Sequence, residues 1–162
     1  MSARTVSQAL SDLCVQCGLC CNGSLFDFVA ISETEASACQ SMGLSVVEKA
    51  GRLGLRLRCG ALQGATCTKY EVRPSGCRSF VCALGKQLDA GQVTAEAALA
   101  VVREAQARVL ALGAKLDPPR TTDVMTHVRI ALASPLPAYD DAWMAEARAT
   151  QRFLTETFHG WN

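Results

Sequence analysis

Cys14-Val-Gln-Cys17-Gly-Leu-Cys20-Cys21 is the stretch of this 162-residue chain that decides its fold, because it places four thiols within eight residues. A second group of four thiols follows further along the chain, at Cys59, Cys67, Cys77 and Cys82. The ninth cysteine, Cys39, stands alone between the two groups. C-x2-C spacing lets two thiolates converge on one cation, so metal ligation explains this density better than independent buried cysteines do.

Disulfides are the weakest explanation for the nine cysteines. Residues 1–8 lack the basic end and the apolar stretch of a signal peptide, so we expect a cytoplasmic protein. A reducing cytoplasm keeps thiols reduced, and an odd number of cysteines leaves one without a partner.

Composition excludes several classes of partner. Sixteen Lys and Arg residues against fifteen Asp and Glu residues give a net charge of +1, which offers no electrostatic case for nucleic acid or an anionic membrane. No apolar run approaches the roughly 18 to 20 residues of a membrane span. The length fits one domain, and the 49% apolar content is enough for a core, so we expect a single domain over residues 1–162.

The first half of the chain predicts short elements. We expect a lead-in helix over residues 2–13, a loop across Cys14–Cys21, and a strand over Leu25–Ile31. The run Ser32-Glu33-Thr34-Glu35 matches a capping box, which predicts a helix to about Met42. Alternating Leu53, Leu55 and Leu57 predict a half-buried strand that leads to Cys59, and Cys67–Cys82 reads as a loop.

After Gly91 the pattern becomes helical. Thr94 can cap a helix to about Lys115, with an apolar stripe at three- and four-residue steps made of Ala98, Val101, Ala105, Val109, Leu112 and Leu116. The segment 124–132 is ambiguous between strand and helix. Asp140 can cap a last helix to about Phe158, in which Trp143, Ala147, Leu154 and Phe158 share one face.

These elements predict a small α+β fold. A cysteine-rich, metal-stabilised region over residues 10–90 contains short strands and loops, and a mainly helical extension over residues 91–162 packs on it. A loop-rich half of this size needs a metal or outside apolar surface for stability, and both are expected here.

Residues around the second thiol group add a family signature. Tyr70-Glu71 and Arg73-Pro74 precede the run Cys77-Arg78-Ser-Phe80-Val-Cys82. Together with the first group, these residues closely resemble the CxxCxxCC proteins, a zinc- or iron-chelating domain family also described as YkgJ-type cysteine-cluster or iron–sulfur-cluster-containing proteins. The resemblance covers about residues 10–85 and includes all eight grouped cysteines. It implies a metal site rather than a defined activity.

The spacing of the thiols favours two four-cysteine sites. Neighbouring residues point their side chains apart, so Cys20 and Cys21 are expected to serve different metals. On a helix, Cys77 and Cys82 would sit roughly 140° apart and would face different metals too. Coordination by four thiolates suits either zinc or an iron–sulfur cluster. The C-x2-C-x2-C run is similar to a ferredoxin pattern, whereas each C-x2-C pair alone is also typical of a zinc knuckle. The identity of the metal stays open.

Other residues have weaker patterns. Arg73 and Arg78 lie between ligands and could offset the negative charge of a thiolate centre. Tyr70 and Phe80 are expected to pack around it, and Glu71 to pair with one of the arginines. Cys39 is expected to be a small buried thiol with no ligand near it. The two histidines, His127 and His159, are expected to stay outside the metal sites, since eight cysteines already suffice.

Three functions remain open at this stage. The first is a metal-binding protein that holds iron–sulfur clusters or zinc and provides electron transfer or redox support to an unknown partner protein. The second is a non-catalytic, zinc-stabilised interaction module whose helical half docks a partner. The third is an enzyme with an open metal position, although the sequence contains no phosphate loop, dinucleotide fingerprint or helical HExxH.

Overall fold

The computed structural model describes residues 7–134 and 139–159. These residues form α-helices and short antiparallel strands, which confirms the α+β class with a helical second half. The helices are α1 (Gln8–Cys17), α2 (Glu33–Ser41), α3 (Ser75–Ser79), α4 (Ala83–Asp89), α5 (Ala95–Ala114), α6 (Val124–Ala133) and α7 (Asp141–Leu154). The strands are β1 (Phe28–Ala30), β2 (Val46–Lys49), β3 (Arg52–Arg56), β4 (Leu62–Gln63) and β5 (Thr66–Cys67).

The strands form a three-stranded antiparallel sheet, in the order β1-β3-β2, and a β4-β5 hairpin. The alternating leucines do mark a strand, and Leu55 at its centre is buried, but β3 ends three residues before Cys59. Of the strand predicted over residues 25–31, only β1 is a strand in the structure. The sequence did not predict β2. Gly54 of β3 lies opposite Ala30 of β1. The Phe28 ring lies so close to Gly54 that a Cβ atom at Gly54 would collide with it.

Helix α1 corrects the first prediction for the cysteine segment. Residues 2–6 of the expected lead-in helix lie outside the described residues, and the helix continues beyond residue 13 through Cys14 to Cys17. Gly18 ends it in the left-handed region, with φ of 63° and its N–H bonded to the Cys14 carbonyl. A Cβ at Gly18 would lie 2.9 Å from the Cα of Ala65, so the position also requires the absence of a side chain.

The second thiol segment is more regular than expected. The loop predicted over Cys67–Cys82 is wrong, because it contains a 3₁₀ turn (Tyr70–Val72) and helix α3. Pro74 is the N-cap residue of α3, with an extended backbone (φ −57°, ψ 157°). The capping box at Ser32 and Glu35 is confirmed, and α2 follows it as predicted.

The helical half follows its sequence pattern closely. The Thr94 hydroxyl accepts the Ala97 N–H and starts α5, and the buried stripe matches the prediction except that Val102 replaces Val101. The ambiguous segment is helix α6. Asp140 caps α7, and a π-helical turn (Thr155–His159) extends it to the buried Phe158. Among the described helices, none is long and apolar enough to cross a membrane.

Two apolar clusters support the thiol region. The larger one joins Leu13, Leu19 and Leu25 of the first half to the buried faces of α5, α6 and α7. The smaller one consists of Cys39, Leu44, Leu55 and Ala61, and Cys59, Cys67 and Cys77 pack against it. The helical half therefore packs directly against the segment that carries the first four cysteines.

Candidate metal centre

Helix α1 and the turn after it position the first four thiols. Cys14 and Cys17 are three residues apart on α1, so their side chains leave the same face. After Gly18 the chain forms a turn in which the Cys21 N–H donates to the Gly18 carbonyl at 3.1 Å. This turn carries Cys20 and Cys21 back toward the end of the helix.

A side chain from the helical half secures the end of α1. The amide Nε2 of Gln106, on α5, donates to the carbonyl oxygens of Gln16 and Cys17, each at 3.0 Å. These are carbonyls that the last turn of a helix leaves without a partner inside the helix. The sequence did not predict this role, because Gln106 has no motif around it and is ninety residues from Gln16.

The second segment joins the first through the backbone. The Cys59 N–H donates to the Cys21 carbonyl at 2.8 Å, which sets these two cysteines side by side. Cys67 lies on β5, directly opposite Leu62 in the hairpin. The hairpin therefore returns a second thiol to the neighbourhood of Cys21.

Cys77 and Cys82 are five residues apart but belong to different helices. Cys77 lies on α3, which packs so closely on β1 that a Cβ at Gly76 would be 3.0 Å from the Ala30 carbonyl oxygen. Cys82 is the N-cap of α4, and its Sγ accepts the Gly85 N–H at 3.3 Å. The expected divergence of these two thiols therefore comes from a break between helices rather than from rotation around one helix.

All eight grouped thiols line one cavity of about 400 Å³. Its cysteines are Cys14, Cys17, Cys20, Cys21, Cys59, Cys67, Cys77 and Cys82. Every cysteine in the chain is a free thiol. The fold therefore brings together every thiol that the sequence predicted as a ligand.

Electrostatic interactions between the thiols separate a first set of four. Burial raises the pKa of Cys17 to about 12, and the charges of Cys82 and Cys14 add to the effect. Burial also raises the pKa of Cys20 well above its usual value, and Cys17 and Cys82 are again the largest contributing charges. The pKa of Cys14 is raised by burial and then by Cys82. Cys82 thus belongs with three thiols from the first segment.

The other four thiols form a second set. Burial raises the pKa of Cys21 to about 12, and the charges that add to this come from Cys77, Cys59 and Cys67. Burial raises the pKa of Cys77 to about 11, with further contributions from Cys59 and Cys67. The charges that raise the pKa of Cys21 therefore come from the second segment, although Cys21 also adds to the raised pKa of Cys17 and Cys20.

Arg73 lies between the two sets. Its guanidinium lowers the pKa of Cys14 in the first set and the pKa of Cys21 and Cys77 in the second, against the larger effect of burial. The guanidinium carbon lies 3.5 Å from the centre of the Tyr70 ring, and Nε donates to the Tyr70 carbonyl at 2.8 Å. Among the described ion pairs, none joins Arg73 or Arg78 to Glu71, so the expected pairing is not seen.

Cys39 is buried as predicted, with 1% of its surface exposed. The expectation that no ligand lies near it is wrong, because Cys59, Cys67 and Cys77 pack against the apolar cluster that contains it. Helix α2 and the strand β3 lie against each other, and this contact brings a residue distant in sequence beneath the second thiol set. Cys39 does not line the cavity.

The histidines stay away from the thiols. His159 stacks on Phe26 with a centroid separation of 4.9 Å, and its Nε2 lies 3.1 Å from the Leu25 carbonyl oxygen. Phe26 in turn meets Phe80 edge to face at 5.0 Å, so Phe80 packs at the cavity wall as expected. Neither His127 nor His159 lines the cavity.

The donor set suits a thiophilic metal. Thiolates select zinc and iron–sulfur clusters, and two sets of four match their usual coordination number. Within the described ranges, no three or more Cys, His, Asp or Glu side chains are already positioned to bind one metal ion together. The eight thiols line the cavity without already meeting at one point.

Comparison with known proteins gives one match. The family model CxxCxxCC, described as "Putative zinc- or iron-chelating domain", matches residues 13–98, which is more than half of the chain and includes all nine cysteines. No curated protein and no solved structure matches the chain.

Proposed function

The chain belongs to the CxxCxxCC family of metal-chelating domains, and from that premise we propose that it holds two four-thiolate metal centres. The first uses Cys14, Cys17, Cys20 and Cys82, and the second uses Cys21, Cys59, Cys67 and Cys77. The observation that carries this proposal is the cavity, which all eight thiols line. The largest charges on Cys20 come from Cys17 and Cys82, and those on Cys21 come from Cys77, Cys59 and Cys67, which favours the division into these two sets. Four thiolates complete the protein ligands of either kind of centre.

Iron–sulfur clusters are the occupants that we propose, because the C-x2-C-x2-C run at Cys14, Cys17 and Cys20 is similar to a ferredoxin pattern. A structural zinc ion draws four sulfurs to about 2.3 Å from one point, which leaves no space between them. A cluster, in contrast, contains several iron and sulfide ions between its four thiolates. The Gly85 N–H bond to Cys82 Sγ and the cation of Arg73 are neighbours of the kind that tune such clusters.

The proposed role is electron transfer or redox support of a partner protein in the cytoplasm. A bound cluster supplies one-electron chemistry. The residues of this chain contribute the thiolates, shield most of them partly from water, and place the Arg73 cation near thiols of both centres. A reducing cytoplasm keeps the nine free thiols available for metal rather than for disulfides.

A zinc-stabilised interaction module is the second candidate. The thiolate donors suit zinc equally well, and apolar side chains remain exposed around the cavity, which is typical of a protein-binding surface. In this case the metals stabilise the conformation of the binding surface and take no part in electron transfer.

Anaerobic purification followed by metal and sulfide analysis tests the proposal. Two four-iron clusters predict a brown protein with about eight iron and eight sulfide ions per chain and an absorption band at about 400 nm that dithionite bleaches. A colourless protein with two zinc ions per chain would select the interaction module. A single ion or a single cluster per chain would contradict the two-centre proposal.

A further inference from the structure

Large apolar side chains gather at the mouth of the thiol cavity. Within the described ranges, the exposed ones that also line the cavity are Val15 (40% exposed), Tyr70 (36%), Val72 (58%) and Phe80 (39%). The remaining two, Leu110 and Ile130, lie on α5 and α6 and do not line it. An exposed apolar patch beside a functional cavity marks a contact surface for another molecule.

The charged residues at the same cavity all have one sign. Lys69, Arg73 and Arg78 line it, and among the described lining residues none is an Asp or a Glu. Arg73 is held against the Tyr70 ring between the two thiol sets. Lys69 and Arg78 are exposed to solvent and remain available to a second molecule after the thiols bind metal.

We propose that this cavity mouth is a docking surface for an acidic protein, the partner that the metal centres serve. This inference rests on the proposed function, because it takes the docked protein to be the partner that the metal centres serve. Apolar side chains of the partner cover Val15, Val72 and Phe80, while its carboxylates meet Lys69 and Arg78. An apolar centre with a charged rim is the usual anatomy of a transient protein interface, and complementary charge gives it orientation and speed.

Other occupants fit the surface less well. A second copy of this chain would set its own cations against Lys69 and Arg78, which is unfavourable. A nucleic acid would require more cations than the three at the mouth, and the net charge of the whole chain is only +1.

Fluorescence anisotropy with defined peptides tests the docking surface. The metal-loaded full chain is titrated into labelled peptides that alternate Glu with Leu, Lys with Leu, or Glu with Ser, and into single-stranded oligothymidine. The rim variants are Val72→Asp and the double variant Lys69→Glu/Arg78→Glu. The matched controls are Ile130→Asp, an exposed apolar residue elsewhere, and Arg103→Glu/Arg148→Glu, two exposed arginines on α5 and α7. Metal per chain is measured in every sample.

The Glu–Leu peptide should bind wild type more tightly than the other three probes. Each rim variant should weaken this binding by about tenfold, and the controls should leave it unchanged. Val72→Ser replaces Val72→Asp if the aspartate variant loses metal. Tighter binding of the Lys–Leu peptide or the oligonucleotide, equal weakening by the controls, or a wild-type dimer that Val72→Asp dissociates would overturn the inference.

The same samples separate the two proposals. A chain with two loaded centres and no preference for the acidic peptide overturns the docking surface and leaves the proposed function intact. A chain without metal that still prefers the acidic peptide overturns the proposed function and supports the surface.

Discussion

Glu35 and Ser75, forty residues apart, are joined by a hydrogen bond of 2.6 Å in which the Ser75 backbone N–H donates to Oε1 of Glu35. The other carboxylate oxygen, Oε2, accepts the Ser32 N–H at 3.0 Å and closes the capping box of α2. Ser75 is the first residue of α3, which carries Cys77. One carboxylate therefore fixes the start of two helices and, through α3, the position of a thiol in the second set.

Replacing Glu35 by Gln should weaken the second centre selectively. A glutamine side chain offers one acceptor oxygen where the carboxylate offers two, so either Ser32 or Ser75 loses its partner. We expect metal to leave the second centre faster under a chelator and the first centre to be unaffected. Glu33→Gln, in the same first turn of α2, is the control. Equal release from both centres would contradict this positioning role.

The same bond predicts a dependence on pH. The N–H groups of Ser32 and Ser75 lower the pKa of Glu35 from 4.5 to about 2. Because the pKa is lower in the folded state, the contribution of the carboxylate is complete above pH 4.5 and disappears as the pH falls toward 2. The difference in free energy of unfolding between wild type and Glu35→Gln should therefore shrink as the pH falls from 4.5 toward 2.

Cys20→Ser and Cys21→Ser should each lose metal, but from different centres. Cys20 interacts most strongly with Cys17 and Cys82, whereas Cys21 interacts with Cys77, Cys59 and Cys67. Each variant should retain about half of the metal bound by wild type, and the double variant should lose both halves. Metal analysis with a spectroscopic signature of each centre decides the matter. If both single variants empty the same centre, the two-centre proposal is wrong.

Cys39→Ser should keep its full metal content although Cys39 lies beneath the second set. Its thiol belongs to the buried apolar cluster and does not line the cavity. A serine hydroxyl left unpaired there should lower the free energy of unfolding by about 1–3 kcal/mol, measured in denaturant. Cys39→Ala is the matched control, because it removes the sulfur without adding a polar group. Metal loss in both variants would make Cys39 a ligand.

Gln106→Leu should destabilise the end of α1. Without the amide, the carbonyls of Gln16 and Cys17 lose their donor; only the Cys17 bond is partly buried, so the cost should be about 0.5–1.5 kcal/mol. Metal release from the first centre should accelerate, and release from the second should not. Arg103→Ala, an exposed change on the same helix, serves as the control. An unchanged release rate would show that the bond has no role in holding Cys17.

Removing the metal should unfold the cysteine-rich region before the helical half. Structural metal sites contribute on the order of 10 kcal/mol, which is comparable to the stability of a whole domain. We expect limited proteolysis of chelated protein to cut before Asp89 while the helices after Thr94 persist as a looser body. Identical melting curves with and without metal would refute this expectation.

The sequence predicted the parts of the fold that local physical chemistry controls. The Ser32–Glu35 box, the Thr94 cap and the stripe of α5 are all encoded within a few neighbouring residues, and all are present. The divergence of Cys20 from Cys21 was predicted because adjacent side chains cannot face the same way. Their assignment to different centres stays a prediction; the largest charges on Cys20 come from Cys17 and Cys82, and those on Cys21 from Cys77, Cys59 and Cys67.

The remaining features depend on contacts between distant segments. Helix α1 passes residue 13 because Gly18 can end it against Ala65, a residue 47 positions later. Strand β2 is short and has partly exposed ends, so only its pairing with β3 makes it a strand. The roles of Gln106 and Cys39 likewise follow from packing between segments, for which neither residue carries a local signal.

The single peptide bond between Cys20 and Cys21 has a consequence for how the proposed centres fill. Consecutive Cα atoms are about 3.8 Å apart, so a ligand to either centre restrains the backbone of its neighbour. Binding of the first metal therefore already orders part of the backbone of the second centre. The second metal then costs less conformational entropy when it binds. Loading should be weakly cooperative: below saturation, native mass spectrometry should find fewer half-loaded chains than two independent centres of the same affinities would give.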